Sequence, residues 1–300
     1  SASSASSASS SFSKLRHGQL NHGLVPPVER RSVSAHCALL RSALGGQAMV
    51  IIRENQSVTF FQNELSLNAF TRLRSSVLAE ATRVKQLCRD VLEVSLADCK
   101  RHRRLEHAPP RLVKELAIAV ECVLMSELHC SLFGGLCRLY APQHRQLVKS
   151  CSQLRDVTPE GLGVRAEVSV DPVRAVLAMS KLAQVSTPVE KLCVLEDVNL
   201  FIAQAVADKA MLDGSPVSPL TADDTIPLFA FVVIQSRSPH LHANLSYMRF
   251  FQPAEDLMEV MGSNVCKWPV LLAQLEAALE YIASGKIEIP PPQPSPSHSR

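Results

Sequence analysis

The chain has 300 residues, of which 31 are basic and 28 acidic, so its formal net charge is only +3. This length suits one large domain or two smaller ones with hydrophobic cores, and the charge is too small to indicate a nucleic-acid partner. Hydrophobic residues make up 46% of the chain, but aromatic residues only 5%, and there are 11 glycines. That balance favours helices rich in Leu, Ala and Val over sheets, and we predict an all-α fold. No uninterrupted apolar run reaches 18 residues, so we expect no transmembrane segment, and the N-terminus lacks the apolar core of a signal peptide.

Both ends of the chain have the composition of disordered or linker segments. Residues 1–48 begin "SASSASSASSSFS" and continue through "GLVPPVERRS", while residues 286–300 are rich in Pro and Ser. Such segments cannot bury enough apolar surface to fold alone. The first residue is Ser rather than Met, and we expect the chain to be a fragment or to have an incompletely defined start.

The elements between these ends begin with a short segment at residues 49–65, whose β-branched composition predicts a strand. From residue 66 the apolar residues recur every three or four positions, which predicts a long amphipathic helix. The basic run "KRHRR" at residues 100–104 is interpreted as a solvated helix end rather than a site for lipid or nucleic acid.

Further helices are predicted by periodicity and by the residues that start and stop them. One should begin at Pro109 and Pro110 and break at Gly134 and Gly135. Others follow in "PQHRQLVKSCSQLRD", "DPVRAVLAMSKLAQV" and "STPVEKLCVLEDVNLFIAQAVADKAMLDG", and the last, "VLLAQLEAALEYIASG", should end at Gly285. We assign residues 66–160 to a helical bundle and residues 161–285 to a second domain.

The nine cysteines are odd in number and include no C-x-x-C pair. Free buried thiols in a reducing compartment are therefore the favoured interpretation. A metal site would have to combine Cys122, His129, Cys130 and Cys137, whose spacing lacks the close ligand pair usual for zinc, so we expect no metal and no other cofactor.

The stretch "TADDTIPLFAFVVIQS", residues 221–236, places two carboxylates ahead of a proline and a strongly apolar run. Pro227 is tolerated only near the start of a helix, so a helix here should begin at or just after Asp223. Asp223 and Asp224 would then lie at its positive end, where carboxylates stay ionised and cap free N–H groups. By its residues alone, "LFAFVVI" is equally compatible with a buried strand.

Three segments together resemble the VPS9 domain, the catalytic module of guanine-nucleotide exchange factors for early-endosomal Rab GTPases. They are "PVEKLCVLEDVNLFI", "TADDTIPLFAFVVIQSRSPHLHANLSYMRFF" and "EAALEYIASG", and the resemblance covers roughly residues 173–284. "ANLSYM" and "EAALEYIASG" look most similar to the branch of the family that also carries ankyrin repeats. The resemblance implies a helical bundle ahead of a layered-helix domain, and a buried helix at "TIPLFAFVVIQS".

The resemblance also implies roles for particular residues. Asp223 matches the aspartate that enters the nucleotide pocket of the GTPase, so we expect it to be the catalytic residue. The GTPase-binding residues would be Asp224, Pro227, Asn244, Tyr247, Trp268, Val270 and Ala273, whereas Lys191 is interpreted as structural.

One departure concerns the segment before the last helix, where the family usually has Gly-Tyr-x-x-Thr. Pro269, Val270 and Ala273 stand at the Gly, Tyr and Thr positions, so both hydroxyls are absent. We therefore keep two functions open. The first is exchange on an early-endosomal Rab of the Rab5/Rab21 branch, in endocytic vesicle trafficking. The second is a degenerate Rab-binding module or endosomal scaffold without exchange activity.

Under either function, the resemblance implies a cytoplasmic protein that associates peripherally with early endosomes and takes a Rab GTPase as its partner. A conventional hydrolase is not supported, since no G-x-S-x-G, H-E-x-x-H or P-loop pattern occurs.

Overall fold

The computed structural model describes residues 77–90, 93, 109–216, 218–253, 267–285 and 287, and all regular structure in these ranges is helical. The prediction of an all-α fold is therefore confirmed. The predicted strand at 49–65, the basic run at 100–104 and nearly all of the two Ser- and Pro-rich ends lie outside the described residues. The described helices are α1 at 77–90, α2 Pro110–Leu139, α3 Ala141–Gln153, α4 Val173–Ser180, α5 Pro188–Leu212, α6 Ala222–Ser236, α7 Leu241–Phe250 and α8 Trp268–Ala283.

Helix α1 buries one face with the predicted three-to-four-residue spacing, but not every apolar residue of the pattern lies on it, since Leu78 is 54% exposed. Its buried residues are Val77, Ala81, Val84 and Cys88, which lie on one side of a helix. They form one hydrophobic core with residues of α2 and with three residues from α7 and the position after it, Ala243, Tyr247 and Phe251. A second, larger core joins α3 to α4, α5, α6 and α8, and also includes three residues of α2: Ala117, Ile118 and Cys122. The helical bundle and the C-terminal helices are thus packed together through shared cores.

Helix α2 begins at Pro110, as predicted, but the predicted break at Gly134 and Gly135 is wrong. The helix continues unbroken to Leu139 because its packed face continues: Leu128, Leu132 and Leu136 are buried at successive turns on either side of the glycines. Each glycine costs about 1 kcal/mol in a helix interior, and burial of each leucine offsets that with about 1.5–3 kcal/mol.

Within the described residues, Ala117–Leu139 of α2 is long and apolar enough, by composition alone, to cross a membrane. The search for uninterrupted apolar runs did not identify this segment. Scattered polar residues interrupt the apolar run without much lowering the mean hydropathy of the segment. The same segment supplies buried residues to both hydrophobic cores, which accounts for its apolar character.

The interpretation of Lys191 as structural is supported by its surroundings. Its side chain is fully buried on α5, where the amine donates a hydrogen bond to the carbonyl of Leu182 at 2.8 Å. The amine also lies 4.9 Å from the centre of the Phe133 ring on α2, a cation–π distance. Burial lowers the pKa of Lys191 to about 8, with opposing contributions from Cys137 and Glu190.

The buried Lys191 predicts a pH dependence of stability. Between its folded pKa of about 8 and its ordinary value near 10.5, the unfolded chain still holds the proton and the folded chain does not. Raising the pH through this window therefore favours the folded state. We expect the free energy of unfolding of the wild type, minus that of Lys191→Met, to increase by about 1–3 kcal/mol from pH 7.5 to about 10.5, measured by urea unfolding.

The exposed Lys181, directly after α4, provides the control variant Lys181→Met, which removes a charge without removing a buried amine. If the wild-type and Lys191→Met curves run parallel over this pH range, the buried amine does not change its protonation on folding and the prediction is wrong.

Candidate functional site

The start of α6 is closed by a capping box. Thr221 is the N-cap residue; its backbone N–H and hydroxyl both donate to one carboxylate oxygen of Asp224, at 3.1 and 2.7 Å. The hydroxyl of Thr225 donates back to the carbonyl of Thr221 at 2.7 Å. The helix begins at Ala222, one residue before the position predicted, because Thr221 supplies a cap that the sequence argument overlooked.

Asp224 is also held from outside its helix, by Arg165. The guanidinium of Arg165 donates from Nε to one carboxylate oxygen at 2.8 Å and from Nη2 to the other at 2.6 Å. The Asp224 side chain is only 1% exposed, whereas that of Arg165 is 48% exposed. The hydrogen bonds from Arg165, and then those from Thr221, hold the pKa of Asp224 well below its usual range despite its burial. Asp224 is therefore ionised, and both of its carboxylate oxygens accept hydrogen bonds from within the protein.

Asp223, its neighbour, has the opposite environment. It is exposed in the first turn of α6, and no described residue donates a hydrogen bond to its carboxylate. Pro227, four residues later, is buried and lacks the N–H that would bond to the carbonyl of Asp223. The remainder of the helix, through Ile234, is almost entirely buried. The structure thus presents one free carboxylate on the end of a helix that is otherwise embedded in the core.

Asn244 and Tyr247, from the "N-L-x-Y" segment, both lie inside the protein. The amide of Asn244 donates to the carbonyls of Pro239 and His240 at 3.2 and 3.1 Å, which ties down the turn between α6 and α7. The hydroxyl of Tyr247 donates to the carbonyl of Ser186 at 3.1 Å, and its ring packs against Phe133 of α2. Both side chains join parts of the fold, and in this structure neither is accessible to a partner. Their direct contact with a GTPase remains a prediction.

The start of α8 contributes one buried and two exposed residues. Trp268 is buried, and its indole N–H donates to Glu196 of α5 at 2.7 Å. Val270 is 57% exposed and Ala273 is also exposed. The described hydrogen bonds tie the last turn of α8, through Tyr281, to the chain near Arg165, and none joins Val270 or Ala273 to Asp223.

Among the described residues, no group of three or more His, Cys, Asp or Glu side chains is placed to hold a metal ion. Sequence reasoning identified the Asp pair but missed Arg165 and Thr221. The T-x-x-D spacing of Thr221 and Asp224 is a signal for a capping box. Arg165 gave no signal, because it lies 59 residues from Asp224 along the chain.

Comparisons with known proteins agree with the resemblance seen in the motifs. Residues 173–287 match the model of the Vacuolar sorting protein 9 (VPS9) domain. A curated relative, the "Rab5 GDP/GTP exchange factor" of Homo sapiens, is 24% identical over 178 residues, which cover 56% of this chain and 35% of the relative. The chain thus spans about a third of the length of that relative.

The environment of Asp224 predicts how its replacement acts on stability. A carboxyl whose pKa is depressed by folding stabilises the protein above its ordinary pKa, and this contribution is lost as the pH falls toward the depressed value. We expect Asp224→Asn to lower the free energy of unfolding by about 1–3 kcal/mol at pH 7, and the difference from wild type to shrink below about pH 4. Chemical unfolding at pH 7, 5 and 3.5 measures both effects.

Asp156→Asn is the matched control, because Asp156 pairs with Arg155 in an ion pair whose side chains are 86% and 64% exposed. Such an exposed pair contributes about 0–1 kcal/mol. An Asp224→Asn effect no larger than that of the control would contradict the buried clamp.

Proposed function

We propose that this chain is a guanine-nucleotide exchange factor for a Rab-family GTPase, since residues 173–287 match the VPS9 domain model. The observation that carries the proposal is the difference between two adjacent carboxylates: Asp224 is locked inside the protein and Asp223 projects freely from the first turn of α6. The relative's printed name, an exchange factor for a Rab GTPase, supports the same activity.

The proposed mechanism makes and breaks no covalent bond. A small GTPase holds its nucleotide through a P-loop lysine and Mg²⁺. A carboxylate that enters this pocket pairs with the lysine, repels the phosphates and disturbs the surroundings of the metal. Each effect lowers the affinity for nucleotide and speeds its release. The embedded body of α6 suits this role, because a carboxylate on a rigid element can be inserted without first being ordered.

The finer parts of the proposal concern the partner and the place. We propose a Rab of the early-endosomal Rab5/Rab21 branch, and a role in endocytic vesicle trafficking at the endosome with peripheral membrane association. The motif resemblance and the relative's name support the Rab5 branch. A nucleotide-release assay against a panel of Rab GTPases tests both the activity and its specificity.

Asp223→Ala is expected to abolish the stimulated release of nucleotide from the Rab that responds best. The fold should remain nearly intact, because an exposed first-turn carboxylate contributes only about 0.3–1 kcal/mol through the helix dipole. Release of a fluorescent guanine nucleotide, with thermal unfolding of each variant, measures the two effects. Asp224→Asn should lose stability and retain more activity than Asp223→Ala when both are assayed below their unfolding temperatures. Equal loss at matched folding would mean that Asp223 is not the inserted residue.

The alternative function, a Rab-binding scaffold without exchange, is favoured by one observation. Val270 and Ala273 stand exposed where the family usually has Tyr and Thr, so the surface has lost two hydroxyls. Each lost hydrogen bond weakens a complex by about 0.5–1.5 kcal/mol. Together this amounts to about 1–3 kcal/mol, or roughly five- to 150-fold in rate if the contacts form in the transition state.

The double change Val270→Tyr plus Ala273→Thr separates the two functions. We expect it to increase nucleotide release within this range on the best-responding Rab, because the exposed positions accept larger side chains without repacking the core. Val148→Tyr, at an exposed apolar residue of α3, controls for the addition of a surface tyrosine. Rab binding without release in the wild type, no gain in the double variant and no effect of Asp223→Ala would establish the scaffold instead.

A further inference from the structure

The segment that carries Arg165 is fixed to the core on both sides of the arginine. Val164 and Val168 are buried, so the backbone that flanks Arg165 cannot move without exposing them. The amine of Lys209, near the end of α5, donates to the carbonyl of Ser169 at 3.0 Å, and also to that of Ala166. The hydroxyl of Tyr281, in the last turn of α8, donates to the carbonyl of Leu162 at 2.9 Å.

From this fixed segment the guanidinium of Arg165 reaches two parts of the α6 start. It binds both carboxylate oxygens of Asp224 in the first turn, and its Nη2 donates to the carbonyl of Pro219, in the loop before the helix, at 3.3 Å. A guanidinium is planar and presents its donors in a fixed fork, so a two-point bond to a carboxylate fixes orientation as well as distance. Arg165 thereby sets where the loop ends and where α6 begins.

The orientation of Asp223 follows from that of Asp224, since the two are consecutive residues in one turn of helix. Asp223, Asp224 and the exposed Glu167 all act electrostatically on Arg165, so its guanidinium is a cation that the three carboxylates share. If Arg165 were replaced by an uncharged residue, the three carboxylates would lie near each other without that cation. Like charges at such distances repel. The α6 start would then spread apart or turn Asp224 outward beside Asp223.

We propose that Arg165 is a positioning residue for the exchange reaction: it holds Asp224, and through it the first turn of α6, so that Asp223 alone is presented to the GTPase. This inference rests on the function proposed above. Arg165 acts through Asp224 and needs no contact with the nucleotide.

The test compares Arg165→Met and Arg165→Lys with the wild type, each as the full 300-residue chain, in nucleotide release from the best-responding Rab. Arg165→Met should lower kcat by roughly tenfold to a hundredfold, as expected for misplacement of a reacting group by about 1 Å. Its KM for the GTPase should stay within about threefold of the wild type, because no binding contact is removed. Arg165→Lys should recover part of the loss, since an ammonium keeps the charge but not the fork.

Two further variants, a charge control and a double substitution, are compared in the same assay. Arg155→Met removes an exposed arginine whose guanidinium pairs with its neighbour Asp156 in the described part of the chain, so it controls for the change in net charge and should keep kcat within about twofold. Arg165→Met combined with Asp224→Asn should reduce kcat no more than Arg165→Met alone, because both changes break the same interaction. If Arg165→Met unfolds below the assay temperature, Arg165→Gln takes its place.

A wild-type kcat in the folded Arg165→Met or Arg165→Gln chain would overturn the inference. A raised KM with unchanged kcat would also overturn it, because Arg165 would then be a contact residue. If the wild type releases nucleotide from no Rab, the proposed function fails, and amide hydrogen exchange at residues 222–226 decides the positioning role separately. Faster exchange there in Arg165→Met but not in Arg155→Met supports the role, and equal rates overturn it.

Discussion

The buried carboxylate of Asp224 is the group on which the candidate site depends. A carboxylate that is removed from water is tolerated only when its charge and its lone pairs are matched. Here a guanidinium supplies the charge and two hydrogen bonds, and the capping threonine supplies two more. Because these donors come from the segment before α4 and from the loop before α6, the ion pair joins three stretches of chain at the point where Asp223 emerges.

Two chemically identical side chains therefore have different roles because their environments differ. Asp224 is ionised and cannot turn toward a partner without leaving Arg165 half-exposed and unpaired. Among the described residues, Asp223 interacts with the helix terminus and with the nearby positive charge of Arg165. The exchange mechanism proposed above needs one well-placed carboxylate that is not otherwise bonded. Here the bonds to Arg165 and Thr221 occupy Asp224 and leave Asp223 available for that role.

The remaining matched residues support the site from a distance. Tyr247 links α7 to α2 through the Phe133 ring, Lys191 links α5 to α2 through the same ring, and Trp268 links α8 to α5. The helices that precede the matched domain are therefore part of the same packed body as the domain. Because residues of α2 and α7 belong to both cores, the start of the range matched by sequence is not a boundary in packing.

Much of the helical layout follows from local sequence, because its causes are local. The period of Val77, Ala81, Val84 and Cys88 defines a buried face, and Pro110 and the capping box at Thr187 and Glu190 mark helix starts. The continuity of α2 through Gly134 and Gly135 could not be predicted from local sequence. The leucines around these glycines stabilise the helix only once neighbouring helices cover them.

The candidate site also has some features that follow from local sequence and others that depend on tertiary packing. The Asp-Asp-x-x-Pro pattern and the resemblance it carries single out the two carboxylates, and they imply a helix where the apolar run alone allows a strand. Which of the two carboxylates is free was decided only by the tertiary structure, because the answer depends on an arginine 59 residues away that no local pattern connects to Asp224. The same holds for Asn244, Tyr247 and Trp268, whose polar atoms could equally face a partner or the core until the packing of α2, α5 and α7 placed them inside. Burial and long-range ion pairing are properties of the assembled helices, and for that physical reason the sequence leaves them undetermined.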